Sequence, residues 1–442
     1  MPIFVAEVAL VGGRRVTDFA VRVADGVIVE TGSQASLLAS HPTETVLAFP
    51  RKAMLPGTVN AHNHSFQSLL RGFGDDLSFL EWRDKALYRY SPRLGPDGVH
   101  VGALFAFAEM ALHGVTTVCD FFYLNDGGNE HAEAVIAAAK RVGIRVVLAR
   151  CFYDWEGAPK VYRETVPEAR ERFLALHRRW HGDRTVAIQA APHSLHGASE
   201  AMIRAGAEAA ASVGVPWHIH LAEERYQVGD AVKTYGQTPL RAVEAMGLLG
   251  PSMVAVHGCW FDAGERALLA DAGARLAYNP NSNMFLGDGI TDVVDLLSRN
   301  VTIALGTDGG CSNSRVSVFD EMRACALLQK VGRAVAGDDA AGQVISAEAV
   351  FAMGTVGGGA VLGVPAGDLR VGLRADFCFV DLDDPSLWPE QSLVKNVVYS
   401  LSARAVTDVF VEGEAVVRDR RLARLPIGEI GERVRALTAD WG

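Results

Sequence analysis

The sequence predicts an α/β protein in which a barrel of eight parallel strands lies beside a small β-domain made from both ends of the chain. In residues 54–364, short apolar runs alternate with helix-like stretches rich in alanine, leucine, arginine and glutamate. That alternation is typical of a parallel sheet covered by helices. Residues 1–53 and 365–442 instead carry short β-like runs separated by turn residues. We therefore place three segments at 1–53, 54–364 and 365–442, with the first and last folding together.

The individual elements follow from the positions of the apolar runs. The predicted barrel strands cover residues 54–60, 116–121, 145–151, 185–191, 216–221, 253–258, 275–279 and 302–306. The helix-like stretches between them include residues 99–113, 130–142, 198–213 and 263–272. The terminal β-domain is expected to use residues 4–10, 19–23, 27–31, 377–380, 406–411 and 415–418. Residues 427–441 are predicted to form a closing helix.

The charge, hydrophobic content and cysteine spacing of the chain exclude several classes of protein. The net charge of −10 and the pI of about 5.7 argue against a nucleic-acid partner, which would require a basic face. A hydrophobic content of 49% fits a globular protein with a large core, and no apolar run approaches the roughly 20 residues of a membrane span. The six cysteines form no C-x-x-C pair and the first residues do not resemble a signal peptide. We expect a reducing, cytoplasmic setting.

The first predicted barrel strand ends in two histidines, His62 and His64. Residues i and i+2 of a strand point to the same face, so both imidazoles can reach one point in space. Imidazole nitrogen suits zinc or ferrous iron. In a parallel barrel, active-site residues gather at the carboxyl ends of the strands. The pair therefore predicts a metal site at this end of the barrel.

Later strand ends supply the remaining candidate ligands. His220 ends the fifth predicted strand and Asp308 follows the eighth, so we assign both to the metal, whereas His218 is interpreted as a core histidine. Glu223, three residues after His220, could move protons without binding the ion. His257 arrives at the same rim on a buried strand. Three imidazoles and one carboxylate leave a position open for water, as in a catalytic site.

These residues resemble those of the amidohydrolase superfamily, within its cytosine-deaminase-like branch. The segments that carry the resemblance are residues 56–64, 68–72, 220–223, 257, 279–283, 306–309 and 371–376. The resemblance implies a distorted (β/α)8 (TIM) barrel with a β-sandwich built from both termini. It also implies one divalent ion, zinc with iron as the alternative, on His62, His64, His220 and Asp308. Residues 185–196 lack the lysine that bridges two ions in other members, which favours a single ion.

The resemblance also implies a hydrolytic mechanism. A divalent ion can lower the pKa of bound water to about 7 and so provide hydroxide at neutral pH. Asp308 and His257 would accept the proton of that water and orient it. Glu223 would donate a proton to the ring nitrogen beside the attacked carbon, and ammonia would leave.

Four side chains near the strand ends are candidate substrate contacts: Gln67, Trp82, Arg150 and His193. The amide of Gln67 suits a lactam or amidine edge, and Trp82 could form the wall for a flat ring. His193 could bond a ring nitrogen or an exocyclic oxygen. Arg150 could do the same, or could pair with a neighbouring acid.

The chain is similar to deaminases of thiomethyladenosine and homocysteinyladenosine, and to guanine, 8-oxoguanine and pterin deaminases. The nucleoside enzymes hold ribose with a glutamate that follows the tryptophan, but residues 88–91 here contain no acid. We therefore expect a free purine-like or pterin-like base, with an adenosine derivative as the alternative. A triazine hydrolase, a formimino or guanidino deiminase and a non-catalytic scaffold are further alternatives. A homodimer or larger homo-oligomer is the expected assembly.

Overall fold

Two eight-stranded sheets organise the computed structural model, which describes residues 1–335, 337 and 344–441. The strands in chain order are β1 (Ile3–Val11), β2 (Arg14–Ala24), β3 (Val27–Ser33), β4 (Val46–Pro56), β5 (Thr58–Asn63), β6 (Val115–Phe122), β7 (Arg145–Phe152), β8 (Val186–Pro192), β9 (Trp217–Leu221), β10 (Met253–His257), β11 (Arg275–Tyr278), β12 (Ile303–Leu305), β13 (Phe377–Asp381), β14 (Val406–Val411), β15 (Glu414–Arg418) and β16 (Arg421–Leu422). Strands β5–β12 form the barrel, and the others form the terminal sheet. The predicted α/β fold class is therefore confirmed.

The barrel strands pair in strict sequence order and all pairs are parallel. They are buried almost throughout, as apolar runs covered on both faces should be. The first and last strands meet where the backbone N–H groups of Thr307 and Asp308 both donate to the carbonyl of His62, each at 3.0 Å. This seam brings the predicted ligands on either side of it together.

Helices surround the barrel, except for the first in the chain, which packs against the terminal sheet. They are α1 (Gln34–Ser40), α2 (Phe79–Trp82), α3 (Tyr88–Tyr90), α4 (Pro96–Leu112), α5 (Glu130–Val142), α6 (Val166–Trp180), α7 (Glu200–Val213), α8 (Arg225–Tyr235), α9 (Pro239–Ala245), α10 (Ala263–Asp271), α11 (Pro280–Leu286), α12 (Val293–Ser298), α13 (Gly310–Asn313), α14 (Val318–Val335), α15 (Ala347–Met353), α16 (Val356–Leu362), α17 (Leu393–Tyr399) and α18 (Ile427–Leu437). Capping boxes start two of them, Thr165 with Glu168 before α6 and Asp262 with Glu265 before α10. Among the described residues, every helix is too short or too polar to cross a lipid bilayer.

The terminal sheet differs in detail from the two-layered sandwich that the family resemblance implies. Its strands are hydrogen-bonded in one mixed sheet, in the order β16-β15-β14-β13-β4-β1-β2-β3. The ring centroids of Phe4 on β1 and Phe410 on β14 nevertheless lie 5.0 Å apart. Neighbouring strands are about 4.8 Å apart, so strands three places apart can touch only if the sheet curls over its aromatic core. Strand β4 belongs to this sheet, which puts the change of sheet at Gly57, after the predicted boundary at residue 53.

A buried ionic network joins the two sheets at the amino ends of the barrel strands. Arg145, the first residue of β7, lies 3.1 Å from Asp376 and 3.4 Å from Glu412. Asp376 also accepts the backbone N–H of Glu412 at 2.8 Å. Arg184 and Arg374 approach Glu412 at 2.8 and 3.2 Å. We call these five residues the junction network.

Candidate metal centre and active site

Four side chains converge at the carboxyl ends of the barrel strands, as predicted. The Nε2 atoms of His62 and His220 lie 3.3 Å apart, and Oδ1 of Asp308 lies 3.3 Å from Nε2 of His64 and 3.6 Å from Nε2 of His62. Zinc–ligand bonds of about 2.0–2.2 Å in a tetrahedron place neighbouring ligand atoms about 3.3–3.5 Å apart. The four residues therefore fit a single divalent ion.

Hydrogen bonds from the second ring nitrogen fix two of the imidazoles. His64 Nδ1 lies 2.5 Å from the carbonyl of Phe121, and His220 Nδ1 lies 2.7 Å from the carbonyl of His193. A carbonyl can only accept, so each Nδ1 carries the proton and each Nε2 presents its lone pair to the site. Burial lowers the pKa of His220 well below its ordinary value, and that of His62 to about 3. Neutral imidazoles are the form that binds a metal.

Asp308 is held in a strained loop directly after β12. Its backbone has φ of 57°, and His257 and Ala222 at the same rim have φ of 72° and 50°. Such left-handed conformations in non-glycine residues cluster at functional sites. The Asp308 carboxylate accepts the hydroxyl of Ser282 at 2.6 Å and the N–H of Gly309 at 2.8 Å. Burial opposes ionisation of Asp308, but the hydrogen bond from His62 and the neighbouring imidazoles hold its pKa below the ordinary value.

Glu223 and His257 form a pair beside the ligands. Glu223 Oε1 lies 3.4 Å from His257 Nε2, and its other oxygen accepts the amide of Gln227 at 3.3 Å. Burial, and then the charge of Asp308, raise the pKa of Glu223 to about 8. Asn283 donates to His257 Nδ1 at 2.9 Å, so the imidazole proton lies on Nε2, facing Glu223. A carboxylic acid that is protonated at neutral pH can donate a proton to a bound substrate.

Three of the four predicted substrate contacts line a cavity directly above the ligands. Gln67, Trp82 and His193 do so, together with Tyr88, Tyr123, Tyr153 and Tyr162. Gln67 bonds Tyr123 Oη at 2.5 Å, and Trp82 Nε1 donates to the carbonyl of Cys311 at 2.9 Å. We call this space the metal pocket. Its aromatic walls suit a flat heterocycle.

Arg150 lies elsewhere. Its guanidinium is fully buried and donates to both carboxylate oxygens of Glu164, at 2.8 and 2.6 Å, and to Asn129 at 2.8 Å. Its partners Asn129 and Glu164 lie next to the starts of α5 and α6, so the side chain of Arg150 faces the helices. The structure thus favours the ion pair, the second of the two roles considered for Arg150.

Several residues at the site carried no assigned role in the sequence. Asn283, Ser282 and Asp288 hold His257, Asp308 and one another in place, and the four tyrosines come from four different segments. Asn283 and Ser282 lie in the segment 279–283, which could have pointed to them because it resembles the family. The tyrosines have no common spacing, so only the folded chain brings them together. His218 bonds Gln189 at 2.6 Å in the core, as predicted.

Three imidazoles, a carboxylate and a buried glutamic acid with a raised pKa lie together at the carboxyl end of a parallel barrel, beside an aromatic pocket, and this arrangement fits a hydrolase. The sequence model described as "Amidohydrolase family" matches residues 53–416. The chain belongs to that family, and it is a hydrolase that acts on C–N bonds.

Curated relatives narrow the comparison. The chain is 35% identical over 425 residues to a 5-methylthioadenosine/S-adenosylhomocysteine deaminase of Syntrophobacter fumaroxidans, covering 96% of this chain and 93% of that protein. It is 31% identical to a 5'-deoxyadenosine deaminase of Methanothermobacter thermautotrophicus, covering 92% and 91%.

Solved structures share the fold. A zinc-bound adenosine deaminase from Xanthomonas campestris superposes with a TM-score of 0.90 at 28% identity, over 99% of this chain and 98% of that one. A zinc complex of an atrazine chlorohydrolase from Arthrobacter aurescens gives 0.91 at 23% identity, over 99% and 100%. At that lower identity the likeness concerns the fold alone.

Proposed function

We propose that the protein is a metal-dependent deaminase that hydrolyses the amino group of an adenosine derivative and releases ammonia. One observation carries the proposal: a buried glutamic acid with a raised pKa faces the same pocket as the metal ligands. Relatives of at least 30% identity over more than nine tenths of the chain are named as deaminases of adenosine derivatives. Those names support the nucleoside over the free base expected from the sequence.

His62, His64, His220 and Asp308 would hold the ion, for which we propose zinc. When bound, a divalent ion supplies Lewis-acid activation of water. The adenosine deaminase structure at 28% identity is described with bound zinc, which supports zinc over iron. Nitrogen and oxygen ligands alone do not separate the two metals.

The protein's own acids and bases complete the reaction. Glu223, protonated at neutral pH, would donate its proton to the ring nitrogen next to the amino-bearing carbon, making that carbon electrophilic. His257 carries its proton on Nε2 and would orient the attacking oxygen, while Asp308, held as a carboxylate, would accept the proton that the oxygen releases. Glu223, now a carboxylate, would take the second proton of the added oxygen and pass it to the amino group, so that the C–N bond breaks, ammonia leaves and a carbonyl forms. The proton held by Asp308 would then restore the acid form of Glu223.

Gln67, Trp82 and His193 would hold the ring. The ring face would lie against Trp82 and the tyrosines, and polar edges of the ring would meet the amide and the imidazole. Arg150 has no part in this proposal, because its guanidinium bonds both carboxylate oxygens of Glu164.

A free purine-like or pterin-like base is the second candidate. Residues 88–91 contain no carboxylate for ribose, and Ser91, at their end, is buried and bonds Tyr162 at 2.6 Å. Within the described residues, Glu223 and Asp308 are the only carboxylates that line the metal pocket. Ribose hydroxyls would therefore have to bond tyrosine or histidine groups instead.

A substrate panel tests the proposal. Zinc-loaded enzyme would be assayed for ammonia release with 5'-deoxyadenosine, methylthioadenosine and S-adenosylhomocysteine, and in parallel with guanine, 8-oxoguanine and pterin. Higher kcat/KM for the nucleosides is the expected result. Activity confined to the free bases would favour the second candidate. Release of chloride or an alkylamine from triazines, or of ammonia only from formimino or guanidino compounds, would contradict both.

The proposal also covers assembly and location. We propose a homo-oligomeric, cytoplasmic enzyme, supported by six free, buried cysteines that need no oxidising compartment. Light scattering of the purified protein tests the assembly, and a mass equal to one 47.3 kDa chain would contradict it.

A further inference from the structure

Glu321 is a fully buried acid on α14 that has no part in the mechanism proposed above. Its Oε2 atom accepts the backbone N–H of Asn281 at 3.0 Å. Its Oε1 atom accepts the side-chain amides of Asn281 at 2.9 Å and of Asn313 at 2.7 Å. A buried polar network whose members are all hydrogen-bonded makes the structure around it rigid. Glu321 therefore ties the segment that contains Asn281 to the segment that contains Asn313.

Asn313 connects Glu321 to the backbone of the proposed ligand Asp308. The side-chain amide of Asn313 donates to the carbonyl of Thr307 at 2.6 Å as well as to Glu321. That carbonyl belongs to the peptide bond that leads into Asp308, whose φ is 57°. A non-glycine residue keeps such a φ only where its surroundings hold it there. The contact with Thr307 therefore helps to hold the backbone from which the Asp308 carboxylate projects.

Asn281 connects Glu321 to the side chain of Asp308. It lies in the first turn of α11, directly before Ser282, whose hydroxyl donates to Asp308 Oδ2 at 2.6 Å. Because Glu321 accepts both the backbone N–H and the side-chain amide of Asn281, it fixes this turn. Two connections thus run from Glu321 to Asp308, one to its backbone and one to its carboxylate.

We propose that Glu321 is a positioning residue that sets the orientation of the Asp308 carboxylate in the metal centre, acting through Asn281 and Asn313. The inference rests on the metal-ligand set of the proposed function and adds to it a residue from a surrounding helix. Loss of an outer-shell partner of a metal ligand lowers metal affinity by about 10- to 100-fold. Glu321 acts through other residues, so we expect the lower end of that range.

The zinc affinity of Glu321→Gln is the first test. An amide nitrogen cannot accept a hydrogen bond, so in either orientation the new NH2 group takes the place of an acceptor. Competition with a chelator of known affinity should give a Kd for zinc about 10-fold higher than that of the unmodified chain. With saturating zinc, kcat should fall while KM stays unchanged, because Gln67, Trp82 and His193 lie on other segments.

Glu265→Gln is the matched control. Glu265 is also buried and accepts the backbone N–H groups of Leu240 at 3.0 Å and Asp262 at 3.1 Å, but neither of these residues lines the metal pocket. Both variants should be less stable in urea than the unmodified chain, because each leaves a buried N–H group without its acceptor. Only Glu321→Gln should lose zinc affinity.

A double-mutant cycle tests the route through Asp308. In an Asp308→Ala background, which keeps the three imidazoles, Glu321→Gln should have no further effect on zinc affinity. A second variant covers the case in which Glu321→Gln folds poorly. Asn313→Ala removes one of the two connections at a partly exposed position, and it should weaken zinc binding in the same direction.

Zinc binding is measured without substrate, so these experiments test Glu321 whether or not any nucleoside is deaminated. Unchanged zinc affinity in Glu321→Gln and Asn313→Ala would overturn the inference. So would an equal loss in Glu265→Gln, or a loss that persists in the Asp308→Ala background. Absence of zinc binding by the unmodified chain would contradict the proposed ligand set, and the inference with it.

Discussion

Charged groups are buried at both ends of the barrel, but their carboxyl groups have different partners at the two ends. At the junction network, Asp376 and Glu412 face the guanidinium groups of Arg145, Arg184 and Arg374. At the metal centre, the ion pairs found among the described residues join Asp308 to His62 and His64, and Glu223 to His257. The junction thus pairs its carboxylates with guanidinium groups, whereas the carboxyl groups of the metal centre face imidazoles.

Unpartnered atoms mark the same contrast. Within the described residues, His62 Nδ1, His257 Nε2 and Asp288 Oδ1 are buried without a hydrogen-bond partner, whereas the side chains of Arg145, Asp376 and Glu412 contribute no such atom. A buried polar atom without a partner costs free energy. The difference teaches that the junction satisfies its buried charges within the protein, while the metal centre leaves His257 Nε2, which faces Glu223, without a hydrogen-bond partner.

The sharpest test of this contrast removes one ligand. His220→Ala is expected to lose more than about 100-fold in zinc affinity, since even outer-shell changes cost about 10- to 100-fold, and hydrolysis should fall with it. Elemental analysis and ammonia release measure both. His218→Ala, from the same strand but bonded to Gln189, should keep its metal. Full zinc content in His220→Ala would contradict the assigned ligand set.

The next largest effect concerns the proton donor. Glu223→Gln should lower the rate by about 10²- to 10⁴-fold while zinc is retained, because the amide cannot transfer a proton. Glu208→Gln, which removes an exposed carboxylate from α7, is the control and should behave as the unmodified enzyme. Near-normal turnover of Glu223→Gln would remove Glu223 from the mechanism.

Breaking the junction should instead cost stability. Arg145→Met leaves Asp376 buried without its cation, and loss of one member of a buried pair costs about 3–5 kcal/mol. Arg184→Met removes a guanidinium that is 48% exposed, for which less than about 1 kcal/mol is expected. Urea unfolding measures both, and KM should stay unchanged. Equal small losses would mean that the junction is not a stabilising network.

The pH dependence of stability is expected to be a gradual effect, spread over several pH units. The folded pKa of Glu223, about 8, exceeds its ordinary value of 4.5, so between these pH values the folded chain binds a proton that the unfolded chain has lost. Its contribution to stability is therefore complete below about pH 4.5 and is lost as the pH rises through 8, at up to about 1.4 kcal/mol per pH unit. In melting curves of the metal-free proteins, the melting temperature of Glu223→Gln should rise relative to that of the unmodified chain between pH 5 and pH 9. A constant difference would contradict the raised pKa.

The sequence predicted most accurately those features for which a general rule relates a residue's position in a strand to its location in the fold. The strand-end rule for parallel barrels singled out His62, His64, His220 and Asp308, and the structure places their side chains 3.3–3.6 Å from one another in the three pairs His62–His220, His64–Asp308 and His62–Asp308. Apolar runs located all eight barrel strands to within a few residues. These features are local, so each can be seen in a short window of the chain.

Features that depend on contacts between distant parts of the chain could not be predicted in the same way. Arg150 lies near the end of its strand, as the proposed ligands do, but its guanidinium bonds Glu164, fourteen positions along the chain. The curl of the terminal sheet likewise depends on contacts between distant strands, such as that between Phe4 and Phe410.

The seam between β5 and β12 has a consequence for how the protein is made. Asn60 and Thr307, which bond across it, are 247 residues apart. During synthesis, His62 and His64 leave the ribosome long before Asp308. With the ligands proposed above, a nascent chain would offer only an incomplete set, and tight metal uptake would wait until the last barrel strand has docked. Metal content would then report how many chains have finished folding.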